Sequence, residues 1–205
     1  MEAAEADEPV ILLWAVVAGL LAGLARAWCG GRPLSSPNLS WVWLAPLAFL
    51  PQWFAFYLPA TRPSISDGLA AIALLSSQVL LLVFVWFNRH RPGFWMMGLG
   101  LVLNFLVIAL NGGLMPISPE TVAWLAPNGT SPAWHIGDRL GSGKDIVLPT
   151  AITRLGWLSD RFRSPDAFPY RVAFSLGDML IAGGAFWWLW ALGGKPHPRM
   201  EREKV

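Results

Sequence analysis

The sequence predicts an all-α, polytopic membrane protein: about five transmembrane helices and a long extracytoplasmic loop with short helical or re-entrant pieces. Three observations predict it. Hydrophobic residues make up 55% of the 205 and charged residues only 14%, with a mean hydropathy of +0.48. A soluble domain carries about 25% charged residues, so this deficit fits a chain whose main solvent is lipid. Five apolar runs reach bilayer length, at roughly 20 residues per span. The lysines and arginines also divide between the connections as membrane insertion selects.

The runs are Val10–Ala27, Trp41–Leu58, Leu69–Phe87, Phe94–Leu110 and Val172–Leu192. The first follows the acidic stretch "MEAAEADEP"; a secretory signal needs a positive start, so this run is expected to be retained as a helix. The second carries Pro46 and Pro51, and kinks there are tolerable where neighbouring helices or water satisfy the freed carbonyls. There are no internal repeats or low-complexity tracts, so residues 1–205 read as a single integral membrane domain. Loop 111–171 holds two weaker apolar pieces, around Trp124 and across Ile146–Leu158. The second is too short to span, is interrupted by Pro149 and Arg154, and is expected to be re-entrant or surface-lying.

Orientation follows from the short connections. With the N-terminus outside, the short segments place Arg26, Arg32, Arg89, Arg91, Lys195, Arg199, Arg202 and Lys204 inside and Arg62 outside; loop 111–171 holds six more basic residues, but long loops obey the rule poorly. Excess basic charge marks the cytoplasmic side, so the chain is predicted in the plasma membrane, N-out and C-in. Trp28, Trp41, Trp43, Trp86, Trp95, Trp187, Trp188 and Trp190 then fall at the inner interface, where tryptophan is favoured. A sixth span across 146–158 would reverse this agreement.

Within the last run, "FSLGDMLIAGG" places Asp178 six residues past Val172, or about 9 Å below the outer surface at ~1.5 Å per residue. Asn104 is six residues before the outer end of the fourth run, so the two are predicted at one depth. Asn104 and Asn111 share a helix face, as do Arg171, Ser175 and Asp178, with Gly177 and Gly184 forming a small-residue strip alongside. A carboxylate in lipid costs about 2.5–3.5 kcal/mol, so Asp178 is expected to face protein or water. It is read either as part of a polar site or as a helix-to-helix link to Asn104 or Arg171.

"NGGLMPIS" is a helix stop, with Gly112 and Gly113 suited to left-handed dihedrals. Their N–H groups would be positioned to bind an anion or a carbonyl. "GWLSDRF" supplies Asp160, 18 residues before Asp178. Two carboxylates sharing a proton can act as base and acid on water, whereas Asp160 beside Arg161 also fits a local ion pair. "GSGKD" lacks the first glycine of a phosphate loop, because Asp138 stands there; no nucleotide is implied. With pI near 9.0 but a net charge of only +2 and no basic stripe, no nucleic-acid partner is implied. His90, His135 and His197 are scattered; only His135 has carboxylates nearby, Asp138 and Asp145, and no zinc-site spacing appears. No metal or cofactor is expected. The short "NGT" pattern at Asn128 is read as fortuitous, and the single Cys29 as a buried thiol.

"LNGGLMPIS", "LSDRF" and "FSLGDMLIAGG" together resemble the bacterial multi-pass membrane proteins known as domain of unknown function 5317. This resemblance covers most of the chain and implies a polytopic fold without assigning an activity. A fainter similarity is to lipoprotein signal peptidase, an intramembrane aspartic protease. Asn111–Gly113, Asp160 and Asp178 match that family's polar residues in order and side. The resemblance implies that Asp160 and Asp178 activate water while Asn111 orients a carbonyl. The departures are five spans rather than four, no spans between Asn111 and Asp160, and Ser175-Leu-Gly-Asp178 where the peptidase has Asn-x-Ala-Asp.

Three functions are compatible with these features. The first is an accessory or structural membrane component, partnered by the lipid bilayer and by other membrane proteins. The second is an aspartate-dependent hydrolase or peptidase at the outer leaflet, with Asp160 and Asp178 catalytic and Asn104, Asn111, Gly112 and Gly113 binding substrate. The third is a small transporter or ion-binding protein using Asp178. Only the second run looks broken, without a mirrored partner, which ranks that reading last.

Overall fold

Five principal helices form where the apolar runs predict them. The computed structural model describes residues 9–126, 134–165, 168 and 171–194. Asn128, His197 and the basic tail from Lys195 lie outside the described residues. The helices are α1 (Pro9–Cys29), α2 (Leu44–Gln52), α3 (Asp67–Asn88), α4 (Phe94–Leu110), the short α5 (Pro119–Leu125) and α6 (Leu176–Leu192).

Local chemistry sets their ends. Ser66 caps α3, its hydroxyl accepting from the Leu69 N–H at 3.4 Å. Gly93, at φ +79°, turns the chain into α4. In α2, Pro46 falls in the first turn, where a missing N–H costs nothing, but Pro51 lies further in. The helix then widens into a π turn, Trp53–Tyr57, closed by Leu58 N–H to Trp53 O at 2.9 Å.

Among the described residues, two helices are long and apolar enough to cross a membrane: residues Ile11–Cys29 of α1 and all of α3. α4 and α6 have 17 residues each, about 26 Å at ~1.5 Å per residue. Little of α1 or α3 is buried, and large apolar side chains such as Leu13, Leu21, Ile72 and Trp95 point outward.

Glycines set the packing. On α6, Gly177 meets Gly100 and Gly184 meets Gly93, so α4 and α6 run antiparallel at backbone contact. A Cβ at Gly100 would overlap the Gly177 carbonyl, and one at Gly93 the Gly184 carbonyl. Gly19 lies against Phe186 and Gly23 against Leu189, so α1 runs parallel to α6. Gly98 touches Val85 and, at the other end, Gly113 meets Ala71, so α3 runs antiparallel to α4. Such contacts gain dispersion energy that a larger residue would forbid.

One end of the bundle is covered by a small cap. β1 (Met115–Ile117) pairs in parallel with β2 (Asp145–Val147), Met115 opposite Asp145 and Ile117 opposite Val147. β3 (Phe162–Arg163) pairs antiparallel with β4 (Ala173–Phe174). These strands correct the all-α expectation. With only two or three residues each they carry no readable periodicity, yet buried backbone such as that of Met115–Ile117 must be paired. β4 also explains why α6 starts at Leu176, four residues later than predicted. Ile146–Leu158 forms no span: after β2 come turns and a 3₁₀ turn, Gly156–Leu158. Leu158 inserts among Phe56, Leu74, Val107 and Ile108, joining the cap to the helical core.

Arg139 makes the second joint. Its buried guanidinium donates to the carbonyls of Gly143 at 2.6 Å and Ile65 at 3.3 Å, and lies 3.7 Å from Asp67 at the start of α3. Burial pulls its pKa below the ordinary arginine value, opposed by the Asp67 carboxylate. At the other, open end, Cys29 is exposed rather than buried, because Ala27 is the residue that α1 turns inward there.

Gly100→Ala is expected to lower the melting temperature in detergent, at a cost of ~1–3 kcal/mol for the overpacked contact. Gly68→Ala, where nothing lies within 4 Å, is expected to leave it unchanged or slightly raised. Differential scanning of both variants checks the pair.

Candidate functional site

The polar residues predicted to gather at one level do so in part. Asp178 is the third residue of α6, in its first turn rather than deep within a span. Ser175 is the N-cap. Its hydroxyl accepts from the Asp178 N–H at 3.0 Å, and Asp178 Oδ2 accepts from the Ser175 N–H at 2.9 Å, a reciprocal capping box. The other carboxylate oxygen, Oδ1, accepts from Asn104 Nδ2 on α4 at 2.8 Å. The Ser175 hydroxyl lies 2.7 Å from Asp178 Oδ2 and 2.9 Å from Asn104 Oδ1, so its one proton has two acceptors. Gly177 allows this: a Cβ there would overlap the Asn104 amide.

This is the helix-to-helix link, made to Asn104 and not to Arg171. Arg171 precedes the helix, donates to the Trp124 carbonyl at 2.7 Å and stacks over the Trp124 ring. A carboxylate at a helix N-terminus also meets the favourable end of the macrodipole. Both Asp178 oxygens are engaged: Oδ2 closes the first turn of α6 onto Ser175, and Oδ1 ties that turn to α4.

Asn111 is buried at the end of α4 and clasps the cap. Its Nδ2 donates to Arg154 O at 2.8 Å and to Val107 O at 2.7 Å, while its Oδ1 accepts from the Arg154 N–H at 2.9 Å. The side chain thus pairs with Arg154 as a second backbone would. Gly112 and Gly113 take φ +88° and +86°, as the helix stop requires. The Gly113 N–H closes onto Ile108 O at 2.9 Å, and a Cβ at Gly113 would lie 2.5 Å from that of Ala71. That N–H is spent on the helix end, not offered to a ligand; Gly112 has open space around it.

Asp160 lies in the cap, 1% exposed, with its N–H on Pro116 O at 3.2 Å. Lys144 Nζ stands 3.5 Å from Asp160 Oδ2 and 3.8 Å from Asp145 Oδ1. One ammonium therefore serves two buried carboxylates, and Asp160 pairs with this lysine rather than in an ion pair with its neighbour Arg161. The structure brings together Asn104, Ser175 and Asp178, joins Asn111 to Arg154, and joins Asp160 to Lys144. The partners of Asp160 and Asp178 differ.

Sequence reasoning missed Lys144 and its two carboxylates, because "GSGKD" is weighed there as a failed phosphate loop and Asp145 only as a neighbour of His135. It missed Arg139 as well, which that same loop wraps. It also missed Gln52, which donates to Ser77 inside the bundle at 2.5 Å, although two polar residues within apolar runs are a visible signal. His135 lies at the cap surface beside Asp138, 3.1 Å away. The His135 backbone N–H, at 2.8 Å, and then its ring hold the Asp138 carboxyl below its ordinary value of 3.8.

The architecture defines a class: an apolar helical bundle with a small strand-containing cap, whose polar residues bind element to element. The family follows. The sequence profile of the "family of unknown function (DUF5317)" matches residues 36–190, and the chain belongs to that family. It is also similar to an uncharacterised protein of Thermotoga maritima, 45% identical over 118 residues, covering 55% of this chain and 58% of the relative. The chain therefore spans somewhat over half the length of the curated relative it matches. No solved structure matches.

Asn111→Ala is expected to free the Arg154 backbone at a cost of roughly 1–3 kcal/mol. Hydrogen exchange should then quicken at Arg154 while the α3 core keeps its protection. Equal exchange in parent and variant would show that the clasp contributes nothing.

Proposed function

We propose that this chain is a multi-pass integral membrane protein of about five spans, N-terminus outside, acting as an accessory or structural membrane component. One observation carries this reading: the outward surfaces of the long helices are apolar, and the polar pairs Asn104–Asp178 and Gln52–Ser77 are spent on one another between helices. A core helix of a soluble protein would be mostly buried, and α1 and α3 are not. A cleavable leader would not be packed along the last helix, as α1 is through Gly19 and Gly23.

The helix directions support the topology. α1, α3 and α6 point away from the cap, and α2 and α4 point towards it. The arginines of the α1–α2 and α3–α4 connections then collect at the open end, with Trp28, Trp41, Trp86 and Trp95 exposed beside them. Basic and aromatic residues at one end fit a cytoplasmic interface. The cap stands outside. A small transporter would need a way through the bundle, and Asp178, its candidate carrier, is engaged at a helix start.

A second reading draws on one specific observation, the buried Asp160–Lys144–Asp145 cluster. Buried ionisable groups packed this closely also occur where water is activated. This is the hydrolase alternative, with Asp160 at its centre and Asp178 as the proposed second carboxylate.

Two experiments test these readings. Cys29, the single cysteine, is exposed at the open end. In intact cells it should resist a membrane-impermeant maleimide and react once the membrane is opened; labelling in intact cells would reverse the orientation. In a deletion strain, Asp178→Asn and Asp160→Asn that both insert stably and restore the parental phenotype fit the accessory role. If both insert yet neither restores it, the hydrolase reading takes over.

A further inference from the structure

The open end of the bundle holds a cavity of about 180 Å³ that the functional readings above do not use. It lies between the last turn of α1, the α3–α4 turn, the connection from α1 to α2 and the end of α6. Arg26 and Arg91 line it together with Trp188, Leu192 and Leu39.

The cavity is built rather than incidental. The Arg26 guanidinium stacks on the Trp190 ring, 4.0 Å from its centroid. Gly194 leaves room for it: a Cβ there would come within 2.9 Å of Arg26 Cζ. The rim formed by 36–39 is pinned on both sides. Ser35 N–H donates to Leu192 O at 2.9 Å, and Asn88 exchanges two hydrogen bonds with the Ser40 backbone, each 2.9 Å. Asn88 O also accepts the Arg91 N–H at 2.9 Å, so one buried asparagine orders both the rim and the turn that carries Arg91.

Two arginine residues in a mostly apolar lining suit one chemistry, a phosphate group attached to an apolar body. Planar guanidinium forks match phosphate oxygens, and a stacked arginine gives up less entropy on binding. A bare, fully hydrated anion would gain nothing from Trp188 and Leu192. With the bundle in a membrane, this end sits at headgroup level, ringed by exposed tryptophans.

We propose that the cavity binds the phosphate group of an anionic membrane lipid between Arg26 and Arg91, with the apolar part of the lipid against Trp188 and Leu192. The inference rests on the membrane reading above. It makes the open end a lipid-reading surface as well as an interface.

The test is native mass spectrometry of the full chain, extracted in detergent and titrated with phosphatidylglycerol or phosphatidylcholine. One phosphatidylglycerol is expected to bind at least tenfold more tightly than phosphatidylcholine. Arg26→Gln and Arg91→Gln should each weaken it fivefold or more at unchanged melting temperature. Should Arg26→Gln fail to fold, Arg26→Lys, which keeps the charge and loses the fork, takes its place. Unaltered binding in the folded variants overturns the site. Equal binding of the two lipids, or displacement by millimolar inorganic phosphate, overturns the lipid as the source of the phosphate. A chain recovered in the soluble fraction would defeat the membrane reading itself; loss of lipid selectivity in a membrane-embedded chain defeats this inference alone.

Discussion

The backbone contact between α4 and α6 is the constraint on which the rest of the structure depends. Gly93, Gly100, Gly177 and Gly184 leave out the side chains that would hold the two backbones apart at these points. At that separation Asn104 reaches the first turn of α6, and Ser175 and Asp178 can close on it. The same closeness seats Trp188 against Phe94 at the open end, where their rings meet edge to face, 5.8 Å apart. A wider spacing would cost the dispersion contacts and leave the Asn104 amide without its carboxylate partner.

The polar groups share a pattern. Asn88 of α3, Asn104 of α4 and Asn111 just past the end of α4 are buried asparagines, and each reaches a different neighbour: the Ser40 rim, the start of α6 and Arg154 of the cap. An amide offers donor and acceptor on one short side chain, so it can pair with a backbone or a carboxylate without carrying charge into an apolar setting. Arg139 does the corresponding work for the cap, at the greater cost of desolvating a cation. It meets that cost with two kinds of partner, carbonyls and Asp67.

The helices were legible because long apolar runs leave few alternatives; α4 was predicted to the residue. The start of α6 was not, because Val172–Phe174 are as apolar as the helix that follows, and hydropathy alone cannot tell a two-residue strand from a helical turn. The level shared by Asn104 and Asp178 was legible from spacing alone, since both count from the same end of the bundle. The capping box was not foreseen: Ser175 and Asp178 are three apart, which fits one helix face as well as an N-cap with its third residue. The cap was least legible. Its contacts join residues far apart in the chain, Asn111 to Arg154 and Ile65 to Arg139, and no local pattern announces such pairs. The resemblance to signal peptidase rested on the order of polar residues. Order does not separate a residue facing substrate from one that clasps the backbone, as Asn111 does here.

The parallel run of α1 beside α6 has a consequence of parity. For two neighbouring helices of one chain to point the same way, the chain between them must traverse the bundle an odd number of times. α3 and α4 supply two traverses, so the segment from Leu44 to Tyr57 must supply the third. Its brevity, its prolines and its π turn do not make it optional. Deleting it would leave α3, α4 and α6 each facing the wrong way for α1, however apolar the remainder. The least helix-like of the apolar runs therefore sets the direction of every helix that follows it.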